Sequence, residues 1–200
     1  MSESKRGRPR QYDREAALDQ AVAAFWSRGY SATTLDDLVA AMGMNRPSIY
    51  NAFGDKESVY RHALRHFIAQ MRSTVSARVL AEPNLAKALL NLYTGALEIY
   101  FGKAPAQGCF VFCTAPAEAV HLPEVREIVH RLIEELDALL AQKFRAAQET
   151  GALPSERDVR LSAKLAQAVL HSLALRARAG ESRSALARMA RGAAEMLAAG

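Results

Sequence analysis

A cluster of hydrogen-bond donors stands out between positions 33 and 56: Thr33, Thr34, Asn45, Arg46, Ser48, Tyr50, Asn51 and Lys56, with Pro47 among them. Hydroxyl, amide, guanidinium and ammonium groups at this density suit contact with phosphate oxygens and with the donor and acceptor edges of bases. A second place for chemistry is the pair Cys109 and Cys113, with His121 further on. These thiols have three readings: small buried hydrophobes, a reactive thiol open to oxidants or electrophiles, or a soft metal site shared with His121 or with another subunit. On a helix their Cβ atoms would stand about 6 Å apart, too far for a relaxed disulfide. The histidines (His62, His66, His121, His130, His171) have no tight metal spacing of their own, so no metal is expected. There is no glycine-rich phosphate loop, nucleophile elbow or paired-histidine motif, and Cys109 with a distant His121 is a weak nucleophile signal. Neither a catalytic residue nor a cofactor is expected.

The elements that hold the first cluster read as helix, tight turn, helix. Leu35, Leu38, Val39 and Met42 recur at helical spacing, with Asp36, Asp37, Ala40 and Ala41 filling the other face. Thr33 or Thr34 caps this helix. Each stands three residues before a carboxylate, Asp36 or Asp37, which is capping-box spacing and sets negative charge at the positive end of the helix dipole. Gly43 ends the helix. Asn45 then caps a second one that tolerates Pro47, because first-turn N–H groups lack intrahelical partners. Ile49 and Phe53 hold the second helix to the first. Arg46, Pro47, Ser48, Tyr50 and Asn51 are left on its outer, N-terminal part, where a recognition helix keeps its reading residues. A plain helical hairpin needs Leu38, Met42, Ile49 and Phe53, but gains nothing from Arg46, Tyr50, Asn51 and Lys56 along one outer edge.

The pattern of Gly29-Tyr30, Thr33-Thr34, Gly43, Ile49-Tyr50, Phe53 and Lys56 resembles the DNA-binding domain of TetR-type (TetR/AcrR family) transcriptional regulators, over about the first third of the chain. The resemblance implies phosphate contacts from Thr33, Thr34, Tyr50 and Lys56, and base or groove contacts from Asn45, Arg46, Pro47, Ser48 and Asn51. Many relatives carry a polar or basic residue where Asp36 stands, which argues against a base contact from that turn. The resemblance also implies a homodimer on a palindromic double-stranded operator, repression as the commoner mode, and a helical domain whose small-molecule effector shifts the dimer away from its DNA-competent state. Candidates to line that effector site are Phe67, Tyr93, Tyr100, Cys109, Phe110, Phe112 and Cys113; each is also readable as plain core. Release by thiol modification is the companion expectation. The rival reading is a helical enzyme or sensor that uses Cys109 on electrophiles.

The rest of the chain fits an all-α protein with an N-terminal three-helix DNA-binding domain and a C-terminal helical domain for effector binding and dimerisation. Half of the 200 residues are hydrophobic, alanine and leucine dominate, and no stretch alternates in the manner of a strand. No apolar run is long enough to span a bilayer, and the basic N-terminus is followed by no apolar core, so a cytoplasmic protein without membrane contact is expected. The net charge of +5 is unevenly spread. Lys5, Arg6, Arg8, Arg10 and Arg14 crowd the start, whereas Arg28, Arg46 and Lys56 are outnumbered by Glu15, Asp19, Asp36, Asp37, Asp55 and Glu57. Residues 1–12 read as a flexible basic arm, with Arg6, Arg8 and Arg10 placed to meet phosphates or the adjacent minor groove. Residues 13–55 form the reading domain and 56–200 the second domain.

Helices are expected from about Asp13 to Arg28, stopped by Gly29, and from Lys56 to about Leu80. The second is a mechanical link between the domains. Further helices follow from Leu85 to Tyr100, from Pro123 to about Thr150, from a Ser155–Asp158 capping box through Leu175, and from Ser182 to Ala199. The helix after Asp158 is apolar nearly all round and needs cover on most sides. The last two helices resemble the pair that forms a four-helix dimer interface in TetR-type regulators; burial within one subunit is the alternative.

Overall fold

The computed structural model describes residues 13–199. Arg6, Arg8 and Arg10 of the expected arm lie outside the described residues. All regular structure among those described is helical. Helix α1 (Arg14–Ala32) starts at Asp13, whose carboxylate accepts from the N–H groups of Glu15 and Ala16 at 3.0 and 3.3 Å. Leu18, Val22 and Phe25 are buried on one face of it. Gly29 kinks this helix where the sequence led us to expect a stop: it adopts φ 79°, open to a residue without Cβ, and the helix resumes through Ala32.

Helices α2 (Leu35–Met42) and α3 (Arg46–Phe53) follow, then α4 (Lys56–Met71), a π-helical turn at Arg72–Ser76, and α5 (Ala77–Ala81). The expected long helix from Lys56 is therefore continuous in direction but widened in its middle, and π turns of this kind recur at functional sites. Next come α6 (Leu85–Tyr100), capped by Asn84, α7 (Phe110–Glu118), α8 (Pro123–Glu149), α9 (Val159–Arg178) and α10 (Arg183–Ala198), capped by Ser182. The expected capping box at Ser155 and Asp158 is not how α9 begins. Asp158 is itself the N-cap, accepting from the N–H groups of Arg160 and Leu161, while the Ser155 hydroxyl turns to Glu156. A carboxylate two or three residues ahead of orphan N–H groups satisfies them directly and needs no serine.

Helices α1 to α3 form the N-terminal unit and α4 leads out of it. Ile49, Phe53, Leu38 and Phe25 are buried together with Val59 and Tyr60 of α4. In the larger unit, α9 lies against α6, α8 and α10, burying Ala163, Ala166, Leu170, Leu173, Ala174 and Ala177. Its other face keeps Leu161, Leu165 and Leu175 exposed. The loop before α7 packs tightly on α9. Gly108 sits at φ +66°, and a Cβ there would run into the Ala174 carbonyl and lie 2.8 Å from Cys113 Sγ. Among the described residues no helix is long and apolar enough to cross a membrane.

Candidate nucleic-acid interface and apolar cavity

Thr34 is the residue that caps α2. Its hydroxyl accepts from the Asp37 N–H at 3.1 Å and donates to the Asp37 carboxylate, which in turn accepts from the Thr34 N–H, both at 2.8 Å. These bonds, the Thr34 backbone N–H first, hold the Asp37 carboxyl below its ordinary pKa. Thr33 is the residue to correct. It is fully buried, and its hydroxyl donates to the Gly29 carbonyl at 2.6 Å, so it serves the kink of α1 and presents no side chain to a phosphate.

Across the turn, Asn45 caps α3 by accepting from the Ser48 N–H at 2.9 Å, which leaves its amide NH2 on the surface. Pro47 occupies the first turn, as expected. Ile49 and Phe53 are buried, whereas Asn45, Arg46, Pro47, Tyr50 and Asn51 are exposed and Ser48 is half-buried. The structure thus brings the expected reading residues onto one outer edge. At the end of that edge, Lys56 opens α4 with its ammonium 4.3 Å from the centre of the Tyr30 ring, a cation–π contact that fixes where the charge stands. The other cations of this unit are also engaged. Arg28 pairs with Asp37 at 2.5 Å, and Arg46 pairs with Asp36 at 2.6 Å.

A second site lies in the larger unit, an apolar cavity of about 320 Å³. This size falls within the range of small-molecule pockets. Its walls come from α4 (Phe67, Ile68, Met71), the π turn (Val75, Ser76), α6 (Leu92, Ala96, Tyr100), α8 (Leu132, Leu136, Leu139) and Leu170 of α9. Cys109 and Phe112, at the start of α7, close one end, and Arg72 with Glu135 forms an ion pair at the rim. Of the expected lining residues, Phe67, Tyr100, Cys109 and Phe112 are here. Tyr93, Phe110 and Cys113 are not. The Tyr93 hydroxyl donates to the Ala166 carbonyl at 3.0 Å inside the α6–α9 contact. Phe110 belongs to an aromatic cluster with Trp26, Tyr60 and Phe67, and Cys113 is tucked behind Gly108.

Both cysteines are free thiols. Burial pushes the Cys109 thiol up to about 12 and raises Cys113 as well, so both stay protonated at neutral pH. Among the described residues no group of His, Cys, Asp and Glu is arranged to hold a metal ion.

Residues 17–63 match the family described as "Bacterial regulatory proteins, tetR family", and residues 86–193 match "Tetracyclin repressor-like, C-terminal domain". The chain belongs to the TetR family. Among its relatives, the HTH-type transcriptional repressor ComR of Escherichia coli (strain K12) is 30% identical over 191 residues, covering 92% of this chain and 89% of ComR. The HTH-type transcriptional regulator YezE of Bacillus subtilis (strain 168) is 24% identical, covering 78% of this chain and 80% of its own. In solved structures, a cysteine mutant of the TetR-family regulator CifR superposes with a TM-score of 0.83 at 28% identity, covering 94% of this chain and 98% of CifR; that protein was crystallised with a 26-bp double-strand operator DNA. TetR-family proteins are DNA-binding transcriptional regulators, which removes the reading of this chain as a helical enzyme.

Within this TetR-family chain the cavity wall touches helix α1 of the N-terminal unit. Phe67 lines the cavity and meets Trp26 of α1 edge-on, with centroids 5.1 Å apart. The Trp26 indole donates to the Gln107 carbonyl at 3.2 Å, and Arg178 of α9 donates to the same oxygen at 3.1 Å. Helix α7 is tied to α4 by Tyr60 to Thr114 at 2.7 Å and to α1 of the N-terminal unit by Ser31 to Glu118 at 3.0 Å. Nothing in the spacing of Trp26 along α1 marks this joint. Sequence reasoning also missed the aliphatic wall of the cavity, because Ile68, Leu92 and Leu136 read as ordinary stripe residues until three helices are set around a gap.

Proposed function

We propose that the chain is a transcriptional repressor that binds a palindromic operator as a homodimer and lets go when a mainly apolar, uncharged small molecule fills the cavity. The observation that carries this reading is the contact between the cavity wall and α1. Any occupant pressing on Phe67 presses on Trp26 of the reading unit. To act as a switch the occupant must bind one arrangement of that wall better than the other. In the division of labour we assign, residues 13–55 read DNA with the arm of residues 1–12 beside them, and residues 56–200 bind effector and dimerise.

Phosphates fall to Thr34, Tyr50 and Lys56, and base edges or the groove to Asn45, Arg46, Pro47, Ser48 and Asn51. Dimerisation falls to α9 and α10, whose outer stripes include Leu161, Leu165, Leu175 and Met196, large apolar side chains left in water by the single chain. A two-fold pair of α3 helices then requires half-sites about one helical turn, or a multiple of it, apart.

The walls suit an uncharged occupant. They offer no buried charge to meet an ion, since the rim carboxylate of Glu135 is already paired with Arg72. The polar groups within are the hydroxyls of Tyr100 and Ser76 and the Cys109 thiol. The test is release of an operator selected from random duplexes, using a series of straight-chain alkanols. The concentration that releases half the DNA falls about fourfold for each added CH2 until the cavity is full, from roughly 0.8 kcal/mol per buried CH2. Release that ignores chain length would overturn the cavity reading. A second reading, release by modification of Cys109, is favoured by the place of that thiol in the cavity wall. Its raised pKa sets it behind simple occupancy, and under occupancy Cys109→Ser keeps its response to alkanols.

A further inference from the structure

Arg46 and Asp36 stand ten positions apart, on α3 and α2, and meet on the exposed outer edge. Their contact uses one side of the guanidinium only. Nε donates to Oδ1 at 3.1 Å, and Nη2 donates to Oδ1 and Oδ2 at 2.6 and 2.7 Å. Nη1 has no hydrogen-bond partner among the described residues. A guanidinium carries donors in a planar fork, and when Nε and one face of Nη2 are taken, the end-on pair of Nη1 and the second N–H of Nη2 remains. That pair has the spacing to reach O6 and N7 of a guanine together. The family resemblance alone argued against a base contact from Asp36. The geometry gives this carboxylate different work.

We infer that Asp36 is a specificity-determining positioning residue: it holds Arg46 with its end-on fork directed outward, so that each half-site is read for a guanine at one position. This rests on the assignment of Arg46 to base reading. An exposed arginine has many rotamers, and a guanidinium free to swing also meets phosphates of any sequence. Anchored on α2, it keeps one arrangement, at the cost of a negative charge brought toward a polyanion. The signature is therefore opposite in affinity and in selectivity. Removing the carboxylate relieves repulsion from all DNA and loosens the choice at one base pair.

The experiment is selection from random duplexes by the full chain, followed by titration of single-base operator variants, for the parent, Asp36→Asn, Arg46→Ala and the double variant. Asp36 is exposed and caps nothing, so the asparagine variant is expected to fold as the parent does. Arg46→Ala is expected to flatten one guanine position in each half-site by about 5- to 150-fold, the discrimination a bidentate pair supplies. Asp36→Asn is expected to flatten the same position by at least about threefold, and to add nothing in the Arg46→Ala background. Asp36→Glu retains part of the preference. If Arg46→Ala flattens a position that Asp36→Asn leaves intact, with affinity raised equally on every sequence, the positioning role is overturned while Arg46 keeps its own. If Arg46→Ala changes no base preference, the assignment beneath the inference fails with it.

Discussion

The outer edge of α3 and the cavity between α4, α6 and α8 are built by opposite means. The edge is local: Asn45 to Asn51 lie within two turns of one helix, and a cap, a proline and two buried anchors decide which way they face. The cavity is assembled from side chains spread between Phe67 and Leu170, none of which does anything there alone. Its chemistry is shape and apolarity, and its polar groups are few. The contrast explains a division of constraint. A reading edge needs particular donors at particular positions, whereas a cavity tolerates many aliphatic exchanges provided the walls and the joint to Trp26 persist.

The largest expected effect falls on that joint. Phe110 is fully buried against Trp26, Tyr60 and Phe67, so Phe110→Ala should cost about 3–5 kcal/mol in denaturant unfolding. A small cost would mean the two regions are not packed as one. Next, Leu165→Asp places a charge in the outer stripe of α9. It should convert the proposed dimer to monomers in sedimentation and weaken operator binding about a hundredfold or more, through loss of the second half-site. Unchanged mass and affinity would assign the stripe to something else.

Within the edge, Arg46→Ala should cost about 1–3 kcal/mol on the preferred operator and change base preference. Lys56→Ala should weaken all sequences alike and lower the salt slope by about one. Equal losses on every sequence for both variants would erase the distinction between reading and gripping residues.

The smallest effect is on pH. Burial first, then the nearby Arg14, Arg65 and Arg61, lowers the pKa of His62 below 6.5, and burial lowers that of His171. The unfolded chain takes up protons near pH 6.5 that the folded chain refuses. The stability these groups support is therefore complete above that pH and declines as the pH falls through it. His62 meets Phe53 of α3 edge-on at 5.9 Å, so His62→Gln should flatten part of the decline in unfolding midpoint. A midpoint that rises in acid would contradict the sign.

What was legible in the sequence follows the same contrast. Periodicity and caps located the helices, because a 3.6-residue repeat and an N-cap are properties of neighbours along the chain. The helix-turn-helix edge was legible for that reason, with Thr33 the exception. Two adjacent threonines offer the same capping chemistry, and only the kink at Gly29 decides that Thr34 caps and Thr33 turns inward. The π turn at Arg72–Ser76 escaped the helical periodicity, although Ser73, Thr74, Val75 and Ser76 are weak helix formers and the hydroxyls of Ser73 and Thr74 donate back to the Gln70 carbonyl. Tyr93 and Phe110 were drawn toward the cavity by being aromatic, yet the Ala166 carbonyl and the aromatic cluster claim them. The partnership of Asp36 with Arg46 depends on how α2 and α3 cross, which no spacing rule encodes.

The central claim is that filling the cavity empties the reading edge of DNA, and one titration tests it most directly. Trp26 is the sole tryptophan and touches the cavity wall through Phe67, so its fluorescence reports occupancy. Labelled operator reports binding in the same cuvette. Adding a straight-chain alkanol to the complex should change the Trp26 signal and release the operator along one curve. Saturation of the Trp26 signal with the operator still fully bound would contradict the account.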